Sequence, residues 1–203
     1  MPATDEKLPF PKLSRSVMTS TSLSVVEEDA ASEEVLALYR EYRSRFGRQD
    51  LPGIVKCFAT NPPVLRSMLA LAGDFLFVDS SLTRTHKEMI ATFVSSQNAC
   101  SYCADSHGGF LLAQGASAEI LCGLRSGAID SPCFAQEEQS LLRFVLKVTS
   151  ESHHIGRADI EAAMRAGWSE TQLAESVHVA AFFAAFNRIA NSFGLPSPHP
   201  GRL

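Results

Sequence analysis

Helix start and stop signals recur along this 203-residue chain, and no segment alternates between apolar and polar residues for long enough to make a confident strand. Ser169-Glu170-Thr171-Gln172 is a capping box, and it leads an apolar pattern through Leu173, Val177, Ala180, Ala181, Ala184 and Ile189 that stops at Gly194 and Pro196. Asn61 followed by Pro62 and Pro63 opens a helix with the stripe Val64, Leu65, Met68, Leu69, Ala72, Phe75 and Leu76. Val35, Leu38, Tyr39, Tyr42 and Phe46 form an earlier stripe behind Ser32, Glu33 and Glu34. Further helices are expected over about 83–98 and 99–114, from Ser117 to Gly127, from Ser131-Pro132 onward, and from Gly156 to Ala166. The stretch between Phe46 and Asn61 reads as a loop containing Pro and Gly. The expectation is an all-α bundle of about eight helices with short links.

Size and charge narrow what such a bundle does. A chain of this length buries about 70% of its unfolded surface in one core, so it needs neither a metal nor a disulfide framework to fold. Eighteen Lys and Arg against 22 Asp and Glu, a net charge of −4 and no basic block give no footprint for nucleic acid or an anionic membrane. The longest apolar run, Val177 to Phe186, is about half of a membrane span. Residues 1–27 read as a polar arm without the features of an export signal, and residues 28–203 as one domain. Five cysteines in such a chain point to a reducing, cytoplasmic setting, where a close pair is chemical rather than structural.

That pair lies between Thr85 and His107, within Cys100-x-x-Cys103-x-x-x-His107. On a helix, Cys103 and His107 lie about 300° and 340° around from Cys100, so the three side chains share a sector of about 60°. With Asn98 as cap, Cys100 falls in the first turn, where free N–H groups and the helix dipole favour a thiolate. His107 is one turn beyond Cys103 and serves it as proton partner. Glu88, on the preceding antiparallel helix, is the carboxylate placed to hold the tautomer of His107.

Blander readings stand beside this one. Glu88 also completes Thr85-x-x-Glu88, a capping box. Cys100 and Cys103 could be small buried hydrophobes, or join His107 and Glu88 in a zinc site, although structural zinc favours two separated ligand pairs. Cys57, Cys122 and Cys133 lack partners at functional spacing and read as core or loop thiols. His153 and His154 read as solvated, and His178 as a core or interface histidine.

Glu88, eleven residues, then Cys100-x-x-Cys103-x-x-x-His107 resembles the signature of the alkyl hydroperoxidase D (AhpD-like) family of the carboxymuconolactone decarboxylase superfamily. Leu82-Thr83-Arg84 and Val94-Ser95-Ser96-Gln97-Asn98 provide the same setting. Asn187-Arg188-Ile189-Ala190 with Phe193-Gly194 looks like the end of its peroxidase-related branch, so the likeness runs from about Asn61 to Pro196. The resemblance implies an all-helical trimer or hexamer that reduces hydrogen peroxide or alkyl hydroperoxides without a cofactor or metal. It makes Cys103 the peroxidatic thiol, Cys100 the resolving thiol, and His107 with Glu88 the proton relay. A dithiol reductant, a protein or a lipoyl-type group, would close the cycle. Tyr102 stands where members with demonstrated peroxidase chemistry carry a histidine, and a phenol is a far weaker base. Thiol–disulfide exchange, redox sensing and lactone decarboxylation are the alternatives.

Overall fold

The computed structural model describes residues 21–198, and among these every regular element is helical. Nine α-helices follow in order: α1 (Glu33–Phe46), α2 (Gly53–Phe58), α3 (Pro62–Leu71), α4 (Arg84–Gln97), α5 (Ser101–Ala113), α6 (Ala118–Ser126), α7 (Gln136–Glu151), α8 (Arg157–Arg165) and α9 (Glu170–Phe193). The all-α expectation holds, as do the helix starts at Ser117 and Ser169, and Ser32, read as part of the first turn, is the cap of α1; the three hydroxyls accept from the Ile120, Gln172 and Val35 amides. α1, α6 and α9 end on left-handed Gly47, Gly127 and Gly194.

Two boundaries and one capping assignment differ from the sequence reading. The Pro/Gly stretch contains α2, too short for a hydrophobic period to register. Ser131-Pro132 does not open α7, which starts at Gln136 after a turn. Thr83, not Thr85, caps α4, its hydroxyl accepting from the His86 amide; Glu88 is therefore released from capping. Most of the expected N-terminal arm lies outside the described residues. Its last part, Thr21 to Glu27, runs along the body, with Ser22 N–H donating to Phe193 O and Val26 N–H to Lys56 O.

α4 is the hub, in contact with α5, α6, α7 and α9. Every residue from Lys87 to Ser95 is buried, so this helix presents no solvent face. The main core gathers Met89, Ile90, Phe93 and Val94 with Leu141, Leu142 and Val145 of α7 and Val179 and Phe183 of α9. A second cluster joins α1, α2 and α3 around Tyr39 and Leu65. A third, smaller cluster lies between α2, α5 and the end of α9, and contains Cys57, Cys100, Tyr102 and Cys103. α3 runs into a π-helical turn, Ala72–Leu76, a local widening that often accompanies functional sites.

Candidate active site

α4 and α5 are joined by a turn of three residues. Asn98 ends α4, Ala99 takes a left-handed conformation (φ 51°), and Cys100 is itself the N-cap of α5. Sequence reasoning had assigned that cap to Asn98; instead the Asn98 amide donates to Asn187 Oδ1 at 3.0 Å. A non-glycine residue in the left-handed region costs about 1 kcal/mol or more, and here it delivers Cys100 to the mouth of the helix.

Cys100 and Cys103 are both free thiols and both buried, at 1% and 4% exposure. The Cys103 thiol hydrogen-bonds to Cys100, and the backbone N–H groups of Cys103 and Tyr102 and the Asn187 side chain also favour a thiolate there. Together they outweigh burial and lower the Cys100 pKa to about 7. An ordinary thiol is roughly 3% ionised at neutrality; Cys100 would be about half ionised. The same bond, with burial and the Cys100 charge, pushes Cys103 far upward. The first negative charge of the pair therefore rests on Cys100.

His107 Nδ1 lies 2.6 Å from Glu88 Oε2, and since a carboxylate only accepts, the proton belongs on Nδ1. Glu88 is 2% exposed, and its other oxygen accepts from Arg84 at 3.1–3.2 Å. The imidazole is caged by Phe183 (ring centroids 4.5 Å apart), Phe110 (5.4 Å) and Phe77 (6.3 Å). Arg84 covers the Phe77 ring from 4.6 Å. Nδ1 being engaged, Nε2 is the nitrogen left for chemistry, and His107 and Cys103, one helical turn apart, both line one large cavity. Cys100 does not line it; it borders a separate shallow cleft with Ser96, Ser101, Asp105 and Arg125.

Glu88, Cys100, Cys103 and His107 all lie within a stretch that matches a known family. Residues 62–147 match the Carboxymuconolactone decarboxylase family. That stretch is a carboxymuconolactone decarboxylase family domain. The chain is similar to an uncharacterized peroxidase-related protein with an alkylhydroperoxidase AhpD core from Ralstonia eutropha JMP134 (24% identity, TM-score 0.78, covering 89% of this chain and 94% of that one). A peroxidase-related protein from Silicibacter sp. TM1040 is equally similar (25% identity, TM-score 0.77, 88% and 92% covered). The debrominase Bmp8, whose variant was solved with 2,3,4-tribromopyrrole, shares the fold at 16% identity (TM-score 0.70, 87% and 91% covered). No curated protein matches the chain.

All four sequence-derived site residues thus converge, while the remaining cysteines and histidines stand apart from the relay. Cys57 shares the small cluster around the pair, but burial pushes its pKa up to about 12. Cys122 is exposed, and so are His153 and His154. His178, expected in the core or an interface, is exposed and meets Phe75 edge-on at 6.5 Å. Among the described residues no group of three or more His, Cys, Asp or Glu converges as a metal site. The sequence reading missed two members. Arg84 was visible as an i, i+4 partner of Glu88. Asn187, 1% exposed and also bonded to Ser95 Oγ at 2.9 Å, entered the sequence reading only through the branch-end motif Asn187-Arg188-Ile189-Ala190, without a role at the site.

Proposed function

We propose that this protein is a dithiol peroxidase that reduces hydroperoxides through a Cys103–Cys100 disulfide. The observation that carries the reading is the shared cavity wall of Cys103 and His107, with Cys100 in contact behind. The Cys103 proton passes to His107 Nε2 and the sulfur attacks the outer peroxide oxygen. The O–O bond breaks, and the departing alkoxide takes a proton from the His107 imidazolium, whose Nδ1–H stays on Glu88. Cys103 is then a sulfenic acid, which the Cys100 thiolate attacks to form the disulfide; the displaced hydroxide leaves as water with one proton from solvent. An external dithiol returns the pair to its reduced form. Homo-oligomeric assembly as a trimer or hexamer and a cytoplasmic setting belong to the same reading.

Stopped-flow consumption of cumene hydroperoxide with dihydrolipoamide as donor is the test. Turnover that disappears in Cys103→Ser supports the proposal. A second reading, thiol–disulfide oxidoreductase, is favoured by the low pKa of Cys100 at a helix mouth. Rapid disulfide exchange with no peroxide consumption would select it instead.

A further inference from the structure

Cys103 and His107 do not face a niche sized for hydrogen peroxide. The cavity they border measures about 990 Å³. That is room for about thirty waters at liquid density and lies at the upper end of the range for small-molecule sites. Its walls are apolar over most of their surface, with Tyr42 and Phe46 from α1, Phe58 from α2, Met68 from α3, Phe110 from α5 and Phe186 from α9. α1, α2 and α9 fall outside the 62–147 family match, so elements beyond that shared stretch close over the dithiol. The Tyr102 hydroxyl accepts the Ile54 amide at 3.0 Å and thereby fixes α2 to the helix that carries both cysteines. Polar wall groups are few: Arg48 and Asp50 are exposed at the rim, and the Asp105 carboxylate is occupied by Arg125 at 2.6 Å and by Ser197.

We infer that the substrate is the hydroperoxide of a lipid-sized apolar molecule, its hydrocarbon body filling this cavity and its peroxide group at Cys103 and His107. The inference rests on the peroxidase reading and adds the substrate class to it. A small polar peroxide gains nothing from aromatic walls, whereas each methylene buried against them strengthens binding about fourfold. Three to four such groups suffice for about a hundredfold preference.

The experiment compares kcat/KM for hydrogen peroxide, tert-butyl hydroperoxide, cumene hydroperoxide and linoleic acid hydroperoxide, with dihydrolipoamide as donor. The expected order rises with apolar size, and linoleic acid hydroperoxide exceeds hydrogen peroxide by about a hundredfold. In Met68→Trp, which places an indole in the cavity, that ratio falls about tenfold or more; the ratio rather than the absolute rate is the readout. Equal kcat/KM across the series overturns the inference and leaves the peroxidase reading standing. If no hydroperoxide is turned over, the peroxidase reading fails, and calorimetry with the hydroxy acid of linoleate on Cys103→Ser protein decides the cavity assignment alone. Micromolar binding that Met68→Trp weakens sustains it; absence of binding refutes it.

Discussion

Lys87 and Glu88 are neighbours on α4, both 2% exposed, yet their surroundings differ in kind. The Lys87 ammonium donates to Phe75 O (2.7 Å), Val78 O (3.0 Å) and Ser80 Oγ (2.6 Å), and pairs with Glu175 at 2.8 Å. Glu175 in turn accepts from Ser80 and from the Leu82 amide. Every strong partner in this network belongs to the network, and it ties the π-turn and the following loop to α9. Glu88 points about 100° away around the helix. Its chain of contacts runs from Arg84 to His107 and ends on a cavity wall. Burial of charge alone does not mark a functional group; a network with one end open to a ligand-sized space does.

The largest effect should come from breaking the closed network. Lys87→Met leaves the Glu175 carboxylate buried without its cation and is expected to cost about 3–5 kcal/mol in denaturant unfolding, much of it recovered by adding Glu175→Leu. Peroxide turnover per folded molecule should stay near the wild-type value. The same network predicts a pH dependence. Burial would raise the Glu175 pKa, but the bonds from Lys87, Ser80 and the Leu82 amide win and lower it. Its stabilisation is therefore complete above the ordinary carboxylate pKa of about 4.3 and is lost as pH falls through the lowered native value.

Breaking the open network should do the reverse. Glu88→Gln keeps an acceptor for Arg84 but removes the charge that holds His107, so peroxide-driven disulfide formation should slow about a hundredfold while unfolding free energy falls by no more than about 2 kcal/mol. A stability loss matching that of Lys87→Met, with turnover intact, would erase the distinction between the two networks.

A smaller effect sharpens the dithiol end. Alkylation of Cys100 by iodoacetamide should follow a titration with its midpoint at about 7, faster on the alkaline side. Asn187→Ala removes one donor to the thiolate and should move that midpoint up by about one pH unit, the size of a single hydrogen bond to a charged group. An unchanged midpoint would assign Asn187 to packing alone.

Much of this was legible in the chain. Ser32, Ser117 and Ser169 with Gly127 and Gly194 mark helix ends chemically, so α1, α6 and α9 could be read closely from sequence. α2 could not, because six residues hold less than two turns of period. Cys100, Cys103 and His107 share one helix, and their spacing alone places them on one face. Glu88 needed the relation between two helices, supplied by the family pattern. Asn187 and the aromatic roof are out of reach of spacing, since α9 meets the pair only through tertiary packing. A thiolate at Cys100 was expected from the helix start; what spacing could not show is that Cys100 is itself the N-cap, so that its sulfur gains the helix-mouth N–H groups and the Cys103 thiol together.

The central claim is that oxidant meets Cys103 although the resting charge lies on Cys100. Cys100→Ser and Cys103→Ser proteins, each treated with one equivalent of cumene hydroperoxide in the presence of dimedone and mapped by peptide mass spectrometry, test it directly. The account predicts a dimedone adduct on Cys103 in the first variant, where His107 remains to accept its proton, and little or none on Cys100 in the second. Dominant labelling of Cys100 in the second variant, with Cys103 unlabelled in the first, would contradict it.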